Sequence, residues 1–248
     1  MVETEVRGRL LIITMSREAK RNAIDAEMTA GIDAALNRLD DDPDLWLGII
    51  TGGSNVFCAG TDLKDGPGDP TERGGEYGII RRQRVKPLIA AIEGLALGGG
   101  FEVMLACDLV VAATDAKLGL PEASRGVIAS CGALFRTHRV LPLNIAKELL
   151  IGCQPMEAGR AHELGLVNRL APHGGALEAA IALGETICTN APVSVRESLR
   201  AINRSFAASD TDCWPYTTDA VNAILAAEDM REGVAAFLGK RQPVWKGR

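Results

Sequence analysis

No two of the six cysteines stand at C-x-x-C spacing, and the chain is too long to need disulfide staples. A zinc or thioredoxin-type site is therefore not expected, and the thiols read as reduced ones of a cytoplasmic protein. No apolar run approaches the roughly 20 residues of a membrane span. The N-terminus, Met-Val-Glu-Thr-Glu-Val-Arg, puts acids where a signal peptide carries basic residues, so neither export nor anchoring is expected. Aromatic residues make up only 4%, and positive charge is in deficit: 27 Lys and Arg against 32 Asp and Glu leave a net charge of −5. Such a chain has no global field for nucleic acid or anionic lipid, so any anionic ligand must be held by a local site. A G-x-S-x-G elbow is also missing, and His138, His162 and His173 fall in helical or loop surroundings, which speaks against a nucleophilic triad.

What the chain has in quantity is aliphatic carbon and glycine. Hydrophobic residues make up 47% of its 248 positions and glycine accounts for 27 of them, enough to build one large core or two small ones. Short apolar runs at Leu10–Met15, Leu45–Thr51, Leu88–Ile92 and Leu109–Ala112 read as strands buried on both faces. Between the first two, Ile24, Met28, Ile32, Leu36 and Leu39 recur at helical spacing, with Asp25 placed to cap the first turn. Strand, helix, strand is the βαβ pattern. Helical segments are predicted to begin near Leu143, Met156, Ala176, Val193 and Trp214, broken by Gly152, Gly165, Pro172 and Pro192, with one short strand at Gly165–Leu170. The polar stretch from Asp65 to Gly75 has little to bury and reads as a mobile surface loop: an irregular insertion, or a flap beside a site.

Two glycine-containing turns and two acids are the candidate chemistry. Gly98-Gly-Gly100 follows an apolar run and opens a helix-like segment, Phe101–Cys107, but Val103 breaks the G-x-G-x-x-G dinucleotide pattern. It serves either close packing of helix on strand or the presentation of backbone amides at a helix start. Phe57-Cys-Ala-Gly-Thr-Asp-Leu-Lys64 is the second such turn, an ordinary βα connection or a close approach to a ligand with Lys64 near a phosphate. Glu102 lies among Phe, Val, Met, Leu and Cys, and Glu122 lies in Leu118-Gly-Leu-Pro-Glu-Ala123. Each is either a cap or surface acid, or a carboxyl whose apolar setting raises its pKa into the range useful for proton transfer.

In order and spacing, these segments resemble the enoyl-CoA hydratase/isomerase, or crotonase, family. The resemblance also covers Arg21-Asn-Ala-Ile24, Pro87-Leu-Ile-Ala-Ala-Ile-Glu-Gly94, Ala96-Leu-Gly-Gly-Gly-Phe-Glu102, Cys107-Asp108, Ala161-His-Glu-Leu-Gly-Leu-Val167 and the terminal Glu-Asp-x-x-Glu-Gly with Phe237. It implies an α/β fold, a spiral of ββα units over residues 1–190, with a C-terminal helical covering and oligomerisation region over 191–248. It implies a homotrimer or dimer of trimers acting on an acyl-CoA thioester, with no metal and no cofactor beyond the coenzyme A of the substrate itself. By similarity, the amides of Thr61 and Gly99 form an oxyanion hole. Glu102 activates water, and Glu122 delivers a proton to C2. Lys20, Arg21, Ala23, Ala59, Asp62, Leu63 and Lys64 contact coenzyme A. Having both acids favours hydration of a 2-trans-enoyl-CoA. Carnitinyl-CoA dehydration, double-bond isomerisation and non-catalytic acyl-CoA binding remain the alternatives. One departure stands out: where family hydratases commonly read P-G-A-G-G, this chain has Ala129-Ser-Cys-Gly-Ala133, and the added side chains are expected either to narrow the acyl pocket or to change which acyl group fits.

Overall fold

The apolar runs become parallel strands because neither of their faces meets water. β2 (Leu10–Met15), β3 (Leu47–Thr51), β4 (Leu88–Ile92) and β6 (Leu109–Ala113) pair in parallel in that order, and β9 (Arg169–Ala171) closes one edge. Leu11, Ile13, Ile50, Ala90 and Ala112 point into the main core. Leu10, Ile12, Leu47, Ile49, Ile89 and Val111 point the other way, into a second cluster against α6 (Ala176–Cys188). At about 25 cal/mol per Å² of apolar surface, burial on both faces is the largest favourable contribution to the fold. The computed structural model describes residues 1–244, and within them all side chains except those of 204–210, 212, 213, 216, 220 and 223. The end of the expected C-terminal region, 245–248, lies outside the described residues.

The other edge of this six-stranded sheet is β1 (Val2–Arg7), antiparallel to β2 and almost wholly exposed. Its alternating Glu3, Glu5 and Arg7 suit an edge, where charge discourages pairing with another chain. α1 (Ala26–Asp41) carries the expected apolar stripe of Met28, Ile32, Leu36 and Leu39, and the Asp25 side chain accepts from the Met28 amide at 2.9 Å, which caps its first turn.

A second sheet of three strands, β5 (Leu95–Leu97), β7 (Lys117–Gly119) and β8 (Met156–Glu157), completes the spiral. Successive units send one strand to each sheet before turning into a helix. β4 and β5 lead to α2 (Gly99–Leu105). β6 and β7 lead through a 3₁₀ turn at Ala123–Arg125 to α3 (Ala133–Val140). The expected ββα spiral is thus present. α4 (Leu143–Gly152) begins where the sequence predicts, whereas Met156 opens β8, with α5 (Ala158–Glu163) after it. The strand expected at Gly165–Leu170 lies at Arg169–Ala171.

Among the described residues, helices follow α6 without interruption by further strands. α7 (Pro192–Ala226) is one long helix with Pro192 in its first turn, where a missing N–H costs nothing. It runs through Pro215, so Trp214 lies within it and does not begin a helix. The Trp214 ring meets Phe135 of α3 edge-on at 5.1 Å and lies under the Arg81 guanidinium at 3.8 Å. α8 (Glu228–Leu238) turns back onto the 123–126 turn: a Cβ on Gly233 would stand 2.2 Å from the Arg125 carbonyl oxygen, and Arg125 stacks on Phe237 at 4.6 Å. The terminal Glu-Gly motif is therefore a contact site for the segment that follows Glu122. No helix of the described residues is long and apolar enough to cross a membrane.

The link between the strands and the loop before them is a buried ion pair. Arg84 donates to the Asp108 carboxylate and, at 2.7 Å, to the Ala106 carbonyl, while Asp108 also accepts from the Leu88 amide at 2.8 Å. Asp108→Ala would leave a buried guanidinium without its counterion, and loss of one partner of such a pair costs about 3–5 kcal/mol. Urea unfolding of the variant should show a destabilisation of about this size; a change within experimental error would contradict the role given to the pair.

Candidate active site

The site is assembled by two turns held side by side. Cys58 pairs with Ala96, Leu97 donates to the Cys58 carbonyl at 3.0 Å, and Cys58 donates to that of Leu95 at 2.9 Å. The 57–61 turn is thereby laid along 95–99. Gly60 (φ +107) makes the approach possible, since a Cβ there would lie 3.0 Å from the Leu97 carbonyl and 3.4 Å from the Gly99 nitrogen. Gly99 is the first residue of α2, whose opening amides lack intrahelical acceptors. Among the described residues, neither the Thr61 nor the Gly99 amide finds a hydrogen-bond acceptor. Two donors are therefore free for an oxygen of a ligand.

Both acids of the sequence reading are brought to these turns. Glu102, one turn into α2, is 2% exposed, and its Oε1 accepts from the amides of Cys131 at 2.7 Å and Ala133 at 3.1 Å. Glu122 follows β7, and its Oε1 lies over Gly98, where a Cβ would come within 3.2 Å. Its Oε2 is buried and has no hydrogen-bond partner among the described residues. Burial, and then the neighbouring Glu122, push the Glu102 carboxyl up to about 8, against the pull of the two amides and Arg136. Burial likewise pushes Glu122 up to about 7. The Glu122 charge acts on Glu102, so the two titrations are coupled, and burial favours the neutral form of each.

The segment Ala129–Ala133 plays a part that its side chains do not reveal. Ser130 is exposed and the Ala133 methyl is packed into the core, while the backbone of this segment supplies the amides that hold Glu102. Its departure from the glycine-rich pattern leaves those two donors in place.

The expected coenzyme A residues form one rim. Ala59 donates to the Arg21 carbonyl, Ile24 to Gly60 and Asp62 to Ile24, so 20–24 runs beside 59–64, bringing Ala23 and Leu63 into the same strip. Lys20, Arg21 and Lys64 are exposed there. Asp62 is otherwise occupied: it pairs with Arg17 at 2.8 Å and accepts from the Lys64 amide at 3.0 Å. Arg17 and Asn22 escaped the sequence reading as individual residues. Asn22 stands at φ +53 with its side chain buried, donating to the carbonyls of Gly52 and Val56 at 2.8 Å and accepting from Arg17 N. It fastens the rim to the glycine turn, which explains the Asn of the Arg-Asn-Ala motif. The three histidines are engaged elsewhere or exposed: His162 bonds the Val167 carbonyl, His173 meets Asp115, and His138 faces solvent.

The 65–75 stretch is not a free loop. Thr29 donates to the Pro67 carbonyl, Thr71 to Asp33, and Arg73 to Asp41, so the stretch is pinned along α1 despite its polar composition. It delivers Tyr77 to the site. The Tyr77 hydroxyl lies 2.7 Å from Thr61 Oγ1, a contact with no counterpart in any sequence pattern.

An α/β spiral that sets two unengaged amides beside the turns carrying two buried carboxyls fits an enzyme of acyl-thioester type, one suited to negative charge developing on a carbonyl oxygen. The family model for enoyl-CoA hydratase/isomerase matches residues 5–248. Enoyl-CoA hydratase EchA19 of Mycobacterium tuberculosis is 36% identical over 98% of this chain and 96% of its own length. Mevalonyl-coenzyme A hydratase sidH of Aspergillus fumigatus is 38% identical over 96% and 91%. The crystal structure of carnitinyl-CoA hydratase from Mycobacterium avium matches with a TM-score of 0.94 at 39% identity, covering 100% of this chain and 98% of that one. The chain belongs to the enoyl-CoA hydratase/isomerase family.

Because the folded protein binds the Glu102 proton more tightly than the unfolded chain does, this group lowers stability as pH rises from about 4.5 to about 8. Glu102→Gln removes that cost. Its melting temperature relative to wild type should rise by several degrees between pH 5 and pH 8.5, at about 2–4 °C per kcal/mol for a chain of this size. A pH-independent difference would show that Glu102 is not strained toward its neutral form.

Proposed function

We propose that the protein is an enoyl-CoA hydratase, adding water reversibly and syn across a 2-trans-enoyl-CoA to give the 3-hydroxyacyl-CoA. The observation that carries this reading is the juxtaposition of Glu102 and Glu122 with the unengaged amides of Thr61 and Gly99. With the thioester oxygen between those amides, charge developing there in the transition state is stabilised, and removing one such donor typically costs about 3–4 kcal/mol. Carbonyl polarisation leaves C3 electron-poor. Glu102, its anion supported by two amide N–H donors, takes a proton from water as the water oxygen bonds to C3. Glu122, whose buried Oε2 is suited to carrying the proton, gives it to C2. After turnover Glu102 holds a proton and Glu122 is ionised, and transfer between them restores the starting state. The chemistry as proposed needs no metal or redox cofactor, coenzyme A being part of the substrate.

Lys20, Arg21 and Lys64 are assigned to the coenzyme A phosphates, with Ala23, Ala59, Asp62 and Leu63 shaping the strip between them. We read residues 1–190 as the catalytic core and 191–248 as the covering and oligomerisation region of a homotrimer or dimer of trimers. Exposed Val193, Ile202 and Leu225 on α7 support a contact role for that region. The free cysteines among the described residues accord with a cytoplasmic location. The same carboxyl pair run in reverse dehydrates a 3-hydroxyacyl-CoA, and the likeness to a carnitinyl-CoA hydratase makes a carnitinyl thioester the second substrate to try.

Purified protein mixed with crotonyl-CoA, longer enoyl-CoAs and carnitinyl-CoA should bleach or generate the conjugated thioester absorbance, with a mass change of one water. A mass-neutral product would indicate isomerisation instead, and binding without turnover of any of them would mark a non-catalytic acyl-CoA binder. Glu122→Gln should lower kcat by about 10²–10⁴-fold, the usual span for a general acid, while leaving the fold intact. The rate should also follow a bell-shaped pH profile. Activity needs one proton on the pair, so it falls below the lower and above the upper apparent pKa, both well above an ordinary carboxylate. A profile flat from pH 5 to 9 would remove the shared proton from the mechanism.

A further inference from the structure

Tyr77 is the residue at the site that neither the motif nor the carboxyl chemistry accounts for. It stands in the left-handed region at φ +54, ψ +12, between Gly75 and Gly78, both also at positive φ. For a bulky residue this conformation costs of order 1–2 kcal/mol and persists only where the surroundings over-determine it. The surroundings do so here. A Cβ on Gly78 would meet the Thr29 carbonyl oxygen at 2.6 Å, and Thr71 and Arg73 tie the preceding loop to Asp33 and Asp41 of α1.

The strain places one side chain against both oxyanion turns. The Tyr77 ring is 5% exposed, and its hydroxyl is hydrogen-bonded to Thr61 Oγ1 at 2.7 Å. The ring also lies on the Cα of Gly99: a Cβ there would fall 2.7 Å from the hydroxyl oxygen and 2.9 Å from Cζ. A single phenol therefore touches the residue bearing each of the two unengaged amides.

We propose that Tyr77 is a positioning residue that fixes the Thr61 and Gly99 amides at the separation needed to grip one carbonyl oxygen, acting through its hydrogen bond to Thr61 Oγ1 and its ring contact with Gly99. The inference rests on the hydratase reading for its catalytic consequence but makes a claim about geometry that is measured without turnover. Oxyanion donors misplaced by a fraction of an ångström lose much of their effect on the transition state, while the coenzyme A contacts that dominate binding are untouched. The signature is a fall in kcat at nearly constant KM.

The test uses a chromophoric thioester, 4-dimethylaminocinnamoyl-CoA, whose absorbance moves to the red when its carbonyl is polarised. Bound to wild-type protein it should shift red. Tyr77→Phe, which keeps the ring and removes the hydroxyl, should lose about half of that shift and about 10-fold in kcat on enoyl-CoA substrates, with KM and the Kd of the probe changed by less than about threefold. Thr61→Val should do the same, Thr61→Ser should restore the wild-type shift, and the Tyr77→Phe/Thr61→Val pair should be no worse than either alone, since both break one interaction. A wild-type red shift and kcat in Tyr77→Phe, or additive losses in the double variant, would overturn the proposal. A red shift with wild type but no hydration of any enoyl-CoA would instead remove the hydratase reading and leave the Tyr77 geometry to be judged on the shift alone. No red shift with wild type would remove the oxyanion hole and the proposal together.

Discussion

The site depends on the pairing of two chain segments far apart in sequence, Cys58 with Ala96, closed by the hydrogen bond from Leu97 to the Cys58 carbonyl. That short parallel contact brings the Thr61 and Gly99 amides into one region, leaves both without acceptors, and puts α2 where its first turn carries Glu102 inward. The large sheet exists to hold it. β3 and β4 are adjacent and parallel, so the chain leaving each strand at the same end is delivered to the same side of the sheet, where the glycine turns meet. A spiral in which every unit exits alike is a way of repeating one geometry until two backbone amides point at one place. A Cβ at Gly60 would press on the Leu97 carbonyl and the Gly99 nitrogen, and one at Gly98 on the Glu122 carboxylate, and both residues stand at positive φ, which is why glycine suits them.

Burying two carboxyls beside these amides works against folding, and the structure limits the cost by treating the two differently. Glu102 is given two amide donors and the field of Arg136, whose own guanidinium is pulled down to about 10 by burial. Glu122 is given none at Oε2. The hydrogen-bond partners favour the anion at Glu102 and give Glu122 Oε2 no such support, while burial and the Glu122 charge work the other way and push Glu102 the higher of the two. The proposed assignment of base to Glu102 and acid to Glu122 rests on that asymmetry of partners.

Much of this architecture was legible in the sequence because burial on two faces leaves a plain mark. β2 and β4 fall on Leu10–Met15 and Leu88–Ile92 as read, and Asp25 caps α1 as its position before an apolar period required. β1 left no such mark, being an exposed edge whose alternating charges bury almost nothing. The sequence reading begins separate helices near Val193 and Trp214, whereas α7 runs through both and through Pro215. In a long helix docked through Trp214, packing can offset the lost backbone bond. The loop from Asp65 to Gly75 looked mobile from composition alone, yet its partners on α1, Asp33 and Asp41, are distant in sequence and silent there. Tyr77 was invisible for the same reason: a left-handed tyrosine and a hydroxyl pair across 16 residues have no period. Acids among apolar residues announce themselves, whereas the residues that align them act through contacts that only the folded chain creates.

The negative net charge and a polyanionic ligand are reconciled by where the arginines are committed. Arg17 is enclosed by Asp25, Asp62 and Asp65, Arg82 by Asp33 and Asp40, Arg84 by Asp108, and Arg73 and Arg81 by Asp41 and Glu76. These cations stabilise the chain's own acids and contribute little field beyond the Debye length of about 8 Å at physiological ionic strength. Lys20, Arg21 and Lys64 have no carboxylate partner among the described residues and stand on adjacent segments beside the glycine turn. A phosphate arriving there meets cations whose charge is not already neutralised, and Asp62, the acid nearest to them in sequence, is itself held by Arg17 and by turn amides. Local pairing rather than total charge therefore decides which anion the surface admits.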